Sequence, residues 1–207
     1  MKNCQPLVSI FILLSLFVSA NAETPRLSFY AKTGLASPVE EHIHSSLSGA
    51  FGLSYSFGNR ISISVDLGSW KSLTDEKSQD LFKGKMTLTP FLISLRYSFS
   101  LDYQMSPYAL IGGGYVFTHF KMDDIITIPE ITISQEIMSG LCLHAGLGVS
   151  LKVSKSFGLI GEAVYLFRKT QAVTTIADMN FGSSSEEFFV RLHTLLFQVG
   201  IVYHFFD

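Results

Sequence analysis

The chain has 207 residues, a formal net charge of −2, and 15% charged against 47% hydrophobic residues. Its length predicts one domain, and its near-neutral charge leaves no basic footprint for nucleic acid. Of the two cysteines, Cys4 falls in an N-terminal leader and only Cys142 follows it, so the sequence offers neither an internal disulfide nor a cysteine metal cluster.

The leader comes first. Lys2 precedes an apolar run from Leu7 to Val18, and Ala20-Asn21-Ala22 sets small residues where a signal peptidase reads them. A charged start, a short apolar run and an A-x-A site predict a cleaved signal peptide over 1–22, with the mature domain over 23–207. A membrane anchor fits less well, because a spanning helix needs roughly 20 apolar residues. Cys4 lies before the run, so it is not a lipoprotein attachment site.

Past Val18 no uninterrupted apolar stretch reaches spanning length, although 13% of residues are aromatic. A hydrophobic chain without a hydrophobic helix has the composition of a transmembrane β-barrel. A secreted β-sandwich would normally leave one face of each strand polar and charged.

Period-two alternation predicts eight strands, at roughly 27–36, 46–57, 60–71, 86–99, 107–120, 138–153, 157–169 and 189–205. Each reaches or approaches the 9–11 residues, roughly, that a tilted transmembrane strand needs. Short connections at Gly58-Asn59, around Leu101-Asp102-Tyr103-Gln104 and at Ser154-Lys155-Ser156 alternate with longer ones at 37–45, 72–85, 121–137 and 170–188. The expected fold is therefore all-β: an eight-stranded antiparallel transmembrane barrel with short periplasmic turns, longer extracellular loops and both termini in the periplasm. Such a barrel is expected in the outer membrane of a Gram-negative-type bacterium, among outer-membrane lipid and lipopolysaccharide.

Each strand has two faces. Strand two sets Phe51, Leu53, Tyr55 and Phe57 against Ala50, Gly52, Ser54 and Ser56. Strand three sets Ile61, Ile63, Val65 and Leu67 against Ser62, Ser64, Asp66 and Gly68. Strand six sets Leu143, Ala145, Leu147, Val149 and Leu151 against Cys142, His144, Gly146, Gly148, Ser150 and Lys152. The apolar face is assigned to lipid and the small or polar face to the interior. Aromatics fall into two bands, Phe57, Tyr97, Phe99, Phe157, Tyr203 and Phe205 at turn ends and Tyr115, Phe117, Tyr165, Phe167 and Phe189 at loop ends, as interfacial girdles do. Alternating apolar residues at 197, 199, 201, 203 and 205 make a terminal strand of the kind that barrel-assembly machinery recognises, although Phe206-Asp207 follow it.

The same parity places Lys32, Asp66, Arg96, His144, Lys152, Glu162 and His204 inside. Buried charges must pair or sit in water. Adjacent strands suggest Asp66 with Arg96 and Lys152 with Glu162, forming a network that holds the barrel's shape or, alternatively, a polar conduction path. The structural role is favoured because an eight-stranded interior is barely wide enough for side chains. Leu92, Leu110, Val116, Ile160, Val164, Leu166 and Val202 share the inward parity and predict an apolar slot or a packed plug.

The stretch Thr87-Leu88-Thr89-Pro90-Phe91-Leu92-Ile93-Ser94-Leu95-Arg96-Tyr97-Ser98-Phe99 leads by a short turn into Ser106-Pro107-Tyr108-Ala109-Leu110-Ile111-Gly112-Gly113-Gly114-Tyr115. This resembles the middle of the OmpW family of small outer-membrane barrels. The turn Phe57-Gly58-Asn59-Arg60 and the ending Gln198-Val199-Gly200-Ile201-Val202-Tyr203-His204-Phe205 are similar too. Barrels of the OmpA and OmpX kinds share the proline-tyrosine-glycine strand. The OmpW resemblance implies an eight-stranded barrel with a largely hydrophobic interior, through which small apolar molecules pass and leave sideways into the membrane. Inward Lys32, Arg96, Lys152 and Glu162 depart from that pattern, and no motif carries a gating role over to the single tryptophan, Trp70.

Some small barrels are lipid A acylases or deacylases, which need a hydroxyl nucleophile held by a base and an acid. The His-x-Ser-Asn signature of the deacylases is absent. Glu41-His42-Ile43-His44-Ser45-Ser46 and the outward His119 and His193 hold suitable residue types, but a solvated loop and two interfacial imidazoles explain them as well. His42 and His44 lack a third metal ligand. The apolar stretch Ile125-Ile126-Thr127-Ile128-Pro129-Glu130-Ile131-Thr132-Ile133 predicts a hairpin extending strands five and six above the membrane, and exposed apolar surface usually marks a contact.

These residues favour a non-enzymatic barrel, needing no cofactor, that binds or passes small hydrophobic molecules. Its candidate lumen lining is Lys32, Asp66, Leu92, Arg96, Leu110, His144, Lys152, Glu162, Val164 and His204. A structural or adhesive OmpX-like barrel with functional loops is the second reading, and a lipid A-modifying enzyme the third.

Overall fold

A computed structural model describes residues 26–58, 60–74, 83–99, 104–122, 127–128, 131–178 and 182–205. The expected signal peptide, Asn59 of the first turn, residues 101–103 of the second and Pro129-Glu130 lie outside the described residues. The strands in chain order are β1 (Arg26–Pro38), β2 (Ser46–Phe57), β3 (Ile61–Thr74), β4 (Gly84–Ser98), β5 (Met105–Met122), β6 (Thr127–Ile128), β7 (Ile131–Ile137), β8 (Gly140–Lys152), β9 (Phe157–Phe167), β10 (Lys169–Asp178), β11 (Gly182–Arg191) and β12 (Thr194–His204).

Eight of them close an antiparallel barrel in the order β1-β12-β9-β8-β5-β4-β3-β2. β1 pairs with β2 on one side and with β12 on the other, Lys32 lying opposite both Ala50 and Gly200, so no edge is left within the wall. The faces follow the predicted alternation. Phe51, Leu53, Val65, Leu67, Leu143, Leu147, Val199 and Ile201 are exposed outward, while Ser54, Ser64, Asp66 and Val202 are buried inside. Aromatics two residues apart pack edge to face, Tyr55 with Phe57, Tyr97 with Phe99 and Tyr203 with Phe205 at the turn ends, and Tyr115 with Phe117 at the loop ends. The turn after β2 uses Gly58 at φ 78°, a left-handed conformation that glycine adopts without steric cost.

Inward glycines make room for large rings. A Cβ at Gly148 would collide with the Tyr108 ring, and one at Gly52 would come within 2.7 Å of Tyr30 Cζ.

The upper end differs from the expectation. Residues 121–137 and 170–188 are not simple loops: β6, β7, β10 and β11 form a second antiparallel sheet in the order β11-β10-β7-β6. The predicted hairpin is there, with Ile128 opposite Ile131, but it belongs to this separate sheet. β9 and β12 part at Arg168 and at Leu192-His193, after which β10 takes β7 and β11 as neighbours. Barrel strands therefore end at Phe167 and begin at Thr194, not at 169 and 189. The signal was weak because the second sheet is rich in Thr, Ser and Glu, which read as loop. Phe189, expected in the outer girdle, sits in β11 with the Lys169 ammonium 4.4 Å from its ring centre.

One irregularity lies within the wall. β3 and β4 pair from Ile61↔Tyr97 to Leu67↔Phe91 and again from Trp70↔Leu88, but not between. Pro90 occupies the gap. Proline has no N–H to donate to a ladder, and the pairing of Pro90 with Val116 on the β5 side continues without a break.

Candidate functional site: the barrel lumen

The lumen is layered. Near the turns, Ser28 Oγ and the half-buried His204 Nδ1 share a hydrogen bond of 2.7 Å. Above lies a charged floor. Lys32 Nζ donates to Asp66 Oδ1 at 2.7 Å and to Glu162 Oε2 at 2.8 Å. Glu162 Oε1 accepts from the Tyr108 hydroxyl at 2.7 Å and has Arg96 Nη2 at 3.0 Å, close enough for an ion pair though off the line of a hydrogen bond. The Tyr30 ring lies 4.9 Å from Lys32 Nζ and 4.8 Å from the Arg96 guanidinium carbon. Two bases thus face two acids between two phenol rings, so the buried charges cancel. Beside them Ser94 Oγ and His144 Nε2 share a 2.7 Å hydrogen bond.

The ion pairs differ from those expected. Arg96 lies opposite Ser62 and Asp66 opposite Leu92, an offset of four residues, or about 13 Å along the strands. Asp66 instead takes Lys32, and Arg96 takes Glu162. Lys152 is not in the lumen with Glu162: it is exposed at the turn end of β8, opposite Gly158, whereas Glu162 faces Gly148. Adjacent strands supply neighbours only at matching heights. The remaining predicted lining residues, Leu92, Leu110, His144 and Val164, are buried, as are Val116, Ile160, Leu166 and Val202.

Sequence reasoning missed Tyr30, Tyr108, Trp70 and Gln198, all buried. Their parity was visible, since Tyr30 precedes inward Lys32 by two residues and Tyr108 precedes inward Leu110 by two. An aromatic in a barrel strand reads first as a girdle residue.

Above the floor is a cavity of about 30 Å³ bounded by Trp70, Pro90, Leu92, Leu110, Val164 and Leu196, with Lys32, Arg96 and Glu162 also on its lining. That volume holds about two water molecules. The cavity abuts the β3–β4 gap through Gly68 and Pro90.

The outer histidines have separate settings. His119 is exposed, and His193 is half-buried with its ring stacked 5.9 Å from that of Tyr165. In the 39–45 connection Ile43 is buried and bridges Thr74. Among the described residues no group of three His, Cys, Asp or Glu side chains is placed to hold a metal.

No protein-family model matches the chain, and no curated protein matches it in sequence. Solved structures do. It is similar to a major outer membrane protein of Thermus thermophilus, with a TM-score of 0.62 and 12% identity over 88% of this chain and 100% of that one. Neisserial surface protein A follows at 0.56 and 15% identity, over 88% and 98% of the two chains. The outer membrane protein AlkL in lipid bilayers gives 0.55 and 14% identity, over 90% and 92%. Identities this low speak to architecture alone. The chain has the eight-stranded β-barrel fold of outer-membrane proteins.

Proposed function

We propose that this barrel sits in the outer membrane, takes small apolar molecules from the outside into its upper lumen, and releases them sideways through the β3–β4 gap. The observation that carries the reading is the apolar cavity set between a sealed floor and the ladder gap at Pro90. A ligand cannot continue down the axis, because Lys32, Asp66, Glu162, Arg96, Tyr30 and Tyr108 fill the section below it. The gap is the place beside that cavity where the wall lacks ladder pairing. At about 30 Å³ the cavity holds water, not a ligand, so passage requires Trp70 or the Pro90 segment to move. No catalytic step is part of this reading. Lipopolysaccharide and lipid contact the exposed outer face, and the assembly machinery takes the chain by β12.

Uptake of a hydrophobic fluorescent probe by outer-membrane vesicles tests it. Leu110→Asp or Val164→Asp puts a charge in an apolar wall, so folded variants should lose most of the uptake. Folded variants that pass the probe as well as wild type would end the transport reading.

A second reading has its own observation. β11 is the edge of the upper sheet and exposes Ser183, Ser184, Ser185, Glu186 and Glu187, a surface for contacts outside the cell. Under it, deleting the β10–β11 hairpin abolishes cell adhesion while changes in the lumen alter only stability.

A further inference from the structure

Arg168 stands where β9 ends and β10 begins, and it is the largest of the fully buried side chains, 2% exposed. Its Nη2 donates to Thr118 Oγ1 at 2.6 Å and to the Met138 carbonyl at 2.7 Å. That carbonyl also accepts from Thr170 Oγ1 at 2.6 Å. The other guanidinium donors, on Nε and Nη1, are buried without a hydrogen-bond partner. Among the described residues, no carboxylate pairs with Arg168, whereas buried Lys32 and Arg96 share Asp66 and Glu162. The floor is therefore neutral and the joint carries an uncompensated positive charge. Proteins rarely bury a guanidinium without an anion, and unpartnered buried donors call for a missing partner.

The surroundings indicate what that partner is. Arg168 shares the inward face of its strand with Leu166 and Val164, both buried. Val164 lines the cavity and lies four residues below Arg168, about 13 Å along the strand. Leu166, Val116, Leu196 and Trp70 belong to one buried apolar cluster with Val164. A cationic group thus stands about 13 Å above the apolar side of that cavity, which opens for a tail only if Trp70 or the Pro90 segment moves. Guanidinium binds carboxylate, sulfate and phosphate oxygens through short charge-assisted hydrogen bonds.

Resting on the hydrophobic-ligand reading, we propose that Arg168 is the head-group site for a single-chain amphipathic anion whose tail occupies the apolar lumen. Specificity then lies in the head: an anion is preferred over a neutral or cationic amphiphile of the same tail. Nη2 stays with Thr118 and Met138, which fixes the guanidinium plane, while Nε and Nη1 take the head group.

Trp70 is the single tryptophan and lines the cavity, so a bromine at the end of a bound tail will quench its fluorescence. The protein is placed in zwitterionic phospholipid vesicles and titrated with ω-bromododecanoate, ω-bromododecanol and ω-bromododecyltrimethylammonium. Wild type should be half-quenched by the carboxylate at a concentration about tenfold below that of the alcohol, the scale of one charge-assisted hydrogen bond. The ammonium should bind weakest. Arg168→Gln should weaken binding of the carboxylate far more than that of the alcohol, removing the preference, and Arg168→Lys should keep part of it. Equal binding of carboxylate and alcohol by wild type overturns the proposal, as does a folded Arg168→Gln protein that keeps the preference. Heat-modified gel mobility reports folding. If Arg168→Gln does not fold, the wild-type head-group series and Arg168→Lys decide. Should none of the three probes quench Trp70, the hydrophobic-ligand reading itself fails, an outcome distinct from binding without head-group preference.

Discussion

Lys32 on β1 reaches Glu162 on β9 at 2.8 Å although β12 lies between their strands. The contact is a tie across the lumen, not a rung of the ladder. Glu162 also holds Arg96 and Tyr108, so one carboxylate gathers groups from β1, β4 and β5 onto β9. Replacing it by Ala leaves the Arg96 charge buried without its acid, while Lys32 keeps Asp66. Breaking a buried ion pair by removing one partner typically costs about 3–5 kcal/mol. Glu162→Ala should lower the temperature at which the barrel loses heat-modified gel mobility by an amount of that order. Glu162→Gln retains an acceptor and should cost less. Wild-type melting of Glu162→Ala would show that Arg96 is solvated.

The charges at this floor show what parity can and cannot give. A two-residue period states which side of the wall a side chain takes, and it placed Lys32, Asp66, Arg96 and Glu162 inside. It does not give height around a tilted barrel. Which residue of β9 stands beside which residue of β8 depends on stagger, and there Lys152 falls four residues from Glu162's partner. Pairing across the lumen is harder still, because Lys32 and Glu162 are separated by 130 positions and by a strand. The upper sheet was hidden for another reason. Its strands bury little apolar surface, so β10 and β11 carry alternation without hydrophobic contrast.

The second prediction concerns orientation. Ser184 lies on exposed β11 at the end with long connections, and Lys155 lies in the short turn closed by the bond from Ser154 N–H to Phe157 O at 2.9 Å. In intact cells an impermeant thiol reagent should label Ser184→Cys and leave Lys155→Cys untouched until the outer membrane is permeabilised. Buried Cys142 supplies the unlabelled background. Labelling of Lys155→Cys in intact cells would invert the barrel.

A third prediction is pH-dependent. Glu40, in the outer connection after β1, is half-buried, and burial raises its carboxyl above the usual range, partly offset by its own backbone, His193 and Arg191. A raised carboxyl favours the protonated form in the fold. Its stabilising contribution is therefore present at pH below the unfolded value of about 4.3 and is lost as pH rises through the folded value. Glu40→Gln mimics the protonated state. It should melt slightly higher than wild type at neutral pH, by under about 1 kcal/mol for a group that is only half-buried, and the difference should close on acidification to about pH 4. A gain that is independent of pH would assign the effect to something other than ionisation.

The fourth prediction separates a gate from a defect. Between Leu67↔Phe91 and Trp70↔Leu88 the β3–β4 ladder lacks its pairing, and the register on either side is the same, so the interruption is local to Pro90 and its neighbours. Pro90 cannot donate, and its missing N–H belongs to the β3 side, since the β5 side is paired throughout. Pro90→Ala restores the donor and removes the ring that meets the Gly68 position. If the ladder then closes, the barrel gains about 1 kcal/mol from one backbone hydrogen bond and melts higher. A passage that leaves by the gap should slow in the same variant, while a molecule that only binds in the cavity should still reach Trp70. A higher melting temperature with reduced vesicle uptake and preserved Trp70 quenching would place the exit at Pro90. A higher melting temperature with unchanged uptake would show that molecules leave the lumen elsewhere, and the gap would then be no more than the footprint of a proline in a strand.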